Sequence, residues 1–270
     1  MKSVILGLAF GLSSVVAQAN TTQDFVEKKL FPTIQSEIKS SYKDIELILM
    51  YNRPDKELED INKKYRPESK NPIKNNETVN KDYRVDGKLI CTVHVSEPKH
   101  DPDFFPENFS QNQIENMLAV STWHEVGHCI QDYHIYRYGG SMKSDKLNTY
   151  RYELTSDLYS YVMAWKTIDK AEEVIELSNS IREELMFDDD LEHSTNLSYP
   201  NYKENLREIA KSANVFEELT KSMWEKEPSN NIEYLAKWKH VAQIKSQKNL
   251  KLSQYENNLL KDENLKSKSF

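Results

Sequence analysis

Apolar positions begin to recur near Asp24: Phe25, Leu30, Ile34, Ile38, Tyr42, Ile45 and Leu49 are spaced three to five residues apart. That spacing predicts a helix from Asp24 to Tyr51, interrupted near Pro32, whose ring removes a helical donor. The pattern then lapses. Residues 52 to 86 are polar, contain Pro54, Pro67 and Pro72, and suggest a long surface excursion. From Lys88 to Ser96, Leu89, Cys91, Val93 and Val95 alternate with Ile90, Thr92, His94 and Ser96. With β-branched residues throughout, this is the strongest strand signal in the chain.

Beyond a Pro-rich turn at 98 to 106, Ser110 and Gln113 have the spacing of a capping box ahead of an apolar run. A helix is expected from about 111 into the 130s, stopped by Gly139-Gly140. Further helices are expected at about 145 to 167 and 169 to 185, with two or three more after Pro200. The Lys-, Asn-, Glu- and Ser-rich stretch from about 245 suits a solvated helix or a fraying tail. Past the first residues, glycine is confined to Gly87, Gly127, Gly139 and Gly140, which favours helices over a turn-rich β fold. The fold class expected is mainly α (α+β) with a small sheet.

The N-terminus changes the setting. Lys2, the apolar stretch Val4 to Val16 and the small-x-small site Ala17-Gln18-Ala19 form a signal peptide cut after Ala19, so the product is secreted or periplasmic. The run is shorter than the roughly 20 residues that span a bilayer, and no later segment is apolar enough to do so. Residues 20 to 270 are read as one domain. The formal net charge of −7 is spread through the chain, which makes nucleic acid a poor partner. In an oxidising compartment the two cysteines, Cys91 and Cys129, can form a bridge; two buried thiols are the alternative.

The chemistry centres on His124-Glu125-Val126-Gly127-His128. Residues four apart on a helix differ by about 40° around the axis and about 6 Å along it, so both imidazoles can grip one ion. Glu125, turned by about 100°, is displaced from the ligand position but can reach water at the metal, as a general base must. The bland alternative is two histidines that pack or face solvent. A catalytic zinc takes three protein ligands and keeps a fourth position open. Glu153 and Asp157, again four apart and on the next helix, supply a third ligand and an acceptor for the second ring N–H of a liganding histidine. Ser156 between them is small enough for a close helix crossing. An ordinary charged helix face is the other reading of that pair.

His124-Glu125-x-x-His128 followed by Glu153-x-x-Ser156-Asp157 resembles the gluzincin group of metallopeptidases, the thermolysin-like zincins, over roughly residues 110 to 165. The resemblance implies a zincin-like domain with one catalytic zinc held by His124, His128 and Glu153, Asp157 acting on His124, and Glu125 as base in peptide-bond hydrolysis. It also implies an upstream strand that binds extended substrate by its edge. Lys88 to Ser96 is placed for that, which would make Cys91 and Cys129 neighbours. His134 has the count of the third metzincin ligand, but with no turn-forming glycine it stays on the helix, about 9 Å from His128, and Glu153 is preferred.

Gluzincins place an oxyanion donor downstream of the third ligand. His193, after Asp188-Asp189-Asp190, is the first choice; its acidic neighbours would keep it protonated to higher pH. A surface loop histidine is the plain alternative. His94, Tyr150 and Tyr152 are weaker candidates, and the tyrosines between 133 and 161 suit packing. The function expected is an exported zinc metallopeptidase acting on a peptide or protein substrate. A non-catalytic zinc-binding protein and a zinc amidase acting on cell-wall peptides are the alternatives.

Overall fold

A computed structural model describes residues 21–65, 73–74, 78–85, 87–137, 146–187 and 191–269. The expected signal peptide and the expected Gly139-Gly140 stop lie outside the described residues. The chain is mainly helical with a three-stranded sheet, and it divides into two compact units, Met1–Tyr133 and His134–Phe270.

In the first unit a π-helical turn, Val26–Leu30, runs into α1 (Phe31–Ser41). Pro32 sits in the first turn of α1, where its missing N–H costs least. The helix expected to reach Tyr51 ends at Ser41, and Ile45–Tyr51 is a strand, β1. The reason lies in the run Ile45-Glu46-Leu47-Ile48-Leu49-Met50-Tyr51. A strand covered on both faces is apolar almost continuously, and over so short a length a helix shows the same pattern.

Residues 52 to 86, expected to be a surface excursion, contain α2 (Asp55–Tyr65) and β2 (Val79–Val85). Leu58 of α2 is fully buried with Met50 of β1 and Ile73, and Ile48, Ile61 and Val79 pack around them. β3 (Lys88–Val95) matches the expected strand and is buried from Leu89 onward. It pairs in parallel with β1, Ile45 opposite Leu89 through Tyr51 opposite Val95, and antiparallel with β2. Gly87, at a φ of 80°, makes the turn from β2 to β3, a backbone conformation that suits glycine. The strand order is β1-β3-β2. β3 is therefore the central strand, with both edges paired, and cannot be the substrate-binding edge that the resemblance implied.

α3 (Gln111–Arg137) follows. The capping box forms as expected: Ser110 N donates to Gln113 Oε1 at 2.9 Å, and Gln113 N donates to Ser110 Oγ at 3.3 Å. Met117, Leu118, Trp123 and Ile130 are fully buried along it. Cys91 on β3 and Cys129 on α3 stand at disulfide distance, with Cα atoms 5.9 Å apart, so a bridge between them ties α3 to the central strand.

The second unit is helical: α4 (Lys146–Thr167), α5 (Ala171–Leu185), a run of 3₁₀ turns from Leu191 to Asn201, α6 (Lys203–Ile209), α7 (Val215–Gln247) and α8 (Gln254–Lys261). α4 is buried all round from Leu154 to Ala164, which makes it the central helix of this unit. Tyr150 packs on Tyr234 and edge-on against Trp238, and Tyr161 packs on Tyr199, the packing role expected of these tyrosines. The stretch from 245 is neither a solvated helix nor a fraying tail. Glu256, Leu259 and Leu265 are buried, and Ser253 caps α8 through a capping box with Glu256. No described helix is long and apolar enough to cross a membrane.

Candidate metal centre

α3 carries His124 and His128 one turn apart, and the apolar residues around them bury both rings. The rings meet edge to face with centroids 4.6 Å apart, and their Nε2 atoms are 3.0 Å apart. His128 Nδ1 lies 3.1 Å from Gln131 Oε1. An amide oxygen only accepts, so Nδ1 carries the proton and Nε2 keeps its lone pair. That lone pair converges with Nε2 of His124. Two nitrogens each about 2.0–2.1 Å from a tetrahedral zinc stand roughly 3.3 Å apart, so the pair fits such an ion.

Glu125 lies next to His124 and is half-buried. Its Oε2 accepts the backbone N–H of Asn80, on edge strand β2, at 2.9 Å. A main-chain donor thus fixes the carboxylate beside the histidine pair. The histidine pair, Glu125, Gln131 and Asn80 all belong to the first unit.

Glu153, on α4, is half-buried. Glu153, the third ligand expected from the sequence, thus lies in the second unit, on α4. One turn further along α4, Asp157 is buried. Its Oδ1 accepts from Arg182 Nη2 at 2.9 Å, and its Oδ2 accepts from the Thr195 hydroxyl. Burial works against the Arg182 cation, but Asp157, Tyr161 and Glu153 outweigh it and hold the guanidinium pKa above its ordinary value. Ser156 is fully buried, as a small residue on a crowded helix face can be.

His193 closes a 3₁₀ turn, Leu191–His193, and is half-buried; Asp188, Asp189 and Asp190 lie outside the described residues. His94 is fully buried on β3, where its Nε2 accepts from the backbone of Arg53 at 3.3 Å. Tyr150 is also fully buried and shares a hydrogen bond with Ser198. Burial raises its hydroxyl pKa, which suits a core residue. Tyr152 is half-buried on α4. His134 stays on α3, as expected, and stacks on Phe216 with ring centroids 4.7 Å apart; burial lowers its pKa.

Sequence reasoning missed four contributors: Gln131, Asn80, Arg182 and Thr195. Gln131 had a usable signal, since it stands three residues after His128 and so shares its helix face. The comparisons add no relative: no protein family, curated protein or solved structure matches the chain.

Proposed function

We propose that the chain is an exported zinc-dependent peptidase. The observation that carries this reading is the pair of buried histidines with converging Nε2 atoms, flanked by a carboxylate that a main-chain amide holds in place. His124, His128 and Glu153 would hold the ion, and a fourth position would remain open. A zinc ion bound there supplies Lewis acidity, polarising a carbonyl oxygen and making water a competent nucleophile near neutral pH.

The protein's own residues do the rest. Glu125 holds the proton taken from the attacking water and returns it to the leaving amine, the acid–base role its place beside His124 permits. The Asn80 N–H orients that carboxylate. Gln131 keeps the proton of His128 on Nδ1, away from the ligand lone pair. Asp157, itself oriented by Arg182 and Thr195, is the acceptor assigned to the ring N–H of His124. His193 is the donor assigned to the developing oxyanion.

β2 is an edge strand, and its Asn80 already faces Glu125, so an extended peptide is assigned to the β2 edge rather than to β3. The signal-type N-terminus supports action outside the cytoplasm.

The test is to incubate the purified chain, freed of residues 1 to 19, with a mixed peptide library read by mass spectrometry, with and without a chelator. Chelator-sensitive cleavage at internal amides is the expected result. Zinc retained without any cleavage would select the non-catalytic zinc-binding reading. Cleavage confined to cell-wall peptide amides would select the amidase reading.

A further inference from the structure

β2 presents its outer edge beside Glu125. The Thr92 hydroxyl donates to the Lys81 carbonyl, so Lys81 turns its backbone toward β3, whereas the Asn80 N–H turns away from β3 and reaches Glu125. Backbone direction alternates along an antiparallel ladder, so Asp82 and Arg84 also turn their N–H and C=O groups outward. Among the described residues no strand pairs with that edge.

Side chains directly opposite each other share a face of the sheet. Asn80 stands opposite Val93, Asp82 opposite Cys91 and Arg84 opposite Leu89, and Cys91 faces Cys129 of α3. Asn80, Asp82 and Arg84 therefore lie on the face of the helix that carries His124, Glu125 and His128. The Asp82 carboxylate is half-buried there and makes no ion pair or hydrogen bond among the described residues. Leu89, Cys91 and Val93 bring it no charge, and Arg84, exposed further along, does not pair with it.

Glu125 holds the Asn80 N–H, so an added strand starts its ladder at Asp82. In the antiparallel sense, the more stable per residue, the peptide residue opposite Asp82 exchanges two backbone hydrogen bonds with it. The two side chains then share a face, with Cα atoms about 5.5 Å apart. The peptide residue two positions later stands opposite Asn80, and its carbonyl comes to Glu125. Charges on an edge strand exclude indiscriminate pairing and admit a partner of matching charge.

We propose that Asp82 selects peptides with lysine or arginine two residues before the one whose carbonyl comes to Glu125. The proposal rests on the peptidase reading for the peptide itself and adds the side chain that is read.

Fluorescence anisotropy of labelled Thr- and Val-rich peptides, identical but for a central Lys, norleucine or Glu, tests it on the full mature chain with a chelator present. The Lys peptide should bind best. The norleucine peptide, which keeps the stem and lacks the charge, should bind about fivefold more weakly and the Glu peptide more weakly still, with the gap closing at high salt. Asp82→Asn should bring the Lys peptide to the norleucine level. Asp82→Lys should reverse the order in favour of Glu, a reversal that damage to the fold does not produce. Equal binding of the three peptides, no binding of any, or an unchanged order in Asp82→Lys would each overturn the proposal. Incubating the same peptides with zinc keeps the two readings apart. Lys-selective binding without cleavage removes the peptidase reading and leaves Asp82 as a reader of basic peptides. Zinc-dependent cleavage indifferent to the central residue removes the role of Asp82 alone.

Discussion

In the zinc reading, the Gln131 contact is what keeps the proton of His128 on Nδ1 and its Nε2 lone pair turned to the ion. Replacing Gln131 with Leu removes the acceptor on Nδ1 and frees the imidazole to choose either tautomer and to rotate. Loss of such a partner typically weakens metal binding by 10- to 100-fold, and competition with a chromophoric chelator should show a fall of that order in zinc affinity. Unchanged affinity would mean that the Gln131 contact is incidental. Glu125 predicts the opposite separation. Glu125→Gln should keep zinc at wild-type stoichiometry while turnover falls by about two to four orders of magnitude, the usual contribution of a general base. Retained turnover would remove Glu125 from the mechanism. At this scale the convergence of His124 and His128 on one helix face was legible, because a four-residue helical spacing is written directly into the sequence. Gln131 shares that face but is no ligand type, so nothing drew attention to it. Asn80 contributes through its backbone N–H, which leaves no mark on side-chain chemistry. Arg182 and Thr195 meet Asp157 from 25 and 38 residues away, a closeness that no local pattern encodes.

Elements were legible where periodicity was long and unlegible where it was short. α3, α4 and α5 lie where the pattern and caps placed them, and β3 showed the alternation of a strand. β1 was hidden in an apolar run that continued the spacing of α1, and only its parallel pairing with β3, 40-odd residues on, distinguishes the two. β2 was hidden by charge. Lys81, Asp82 and Arg84 break the apolar run, as expected of an edge strand guarded against further pairing. The Cys91–Cys129 pair joins two such elements, the central strand and the helix that carries both histidines. With the cysteines 38 positions apart in sequence, the chain-entropy estimate gives the bridge about 4 kcal/mol. The Cys91→Ala, Cys129→Ala double variant should lose stability of that order in urea unfolding. It should also bind zinc less tightly, because α3 is then less firmly held on β3. A change below about 1 kcal/mol would mean that the unfolded chain is already constrained there.

Over the whole molecule, acidic residues outnumber basic ones, 43 against 36, yet several acids are consumed internally, and this sets how the second unit responds to pH. The buried lysines of α7 gather the C-terminal stretch. Lys239 donates to the carbonyls of Asp262 and Leu265, Lys245 pairs with Glu256 at 2.9 Å, and Lys268 N donates to the carbonyl of Ala236. Burial raises the Glu256 pKa, but hydrogen bonds from Lys245 and Ser253 together outweigh it, and the net result lies below the ordinary 4.5. Glu233 behaves alike: burial raises its pKa, and Lys268 and Lys237 bring it below 4.5. A carboxylate with a depressed folded-state pKa contributes stability that is complete above its unfolded value and is lost as pH falls through the folded one. Thermal unfolding of the wild type should therefore be steady down to about pH 4.5 and decline below it. Glu256→Gln leaves Lys245 buried without a counter-charge and should cost about 3 kcal/mol near neutrality. The deficit should shrink as acid neutralises Glu256 in the wild type, so the two unfolding profiles converge at low pH. Profiles that stay parallel through the acid range would show that this pair does not govern the acid limit of the fold.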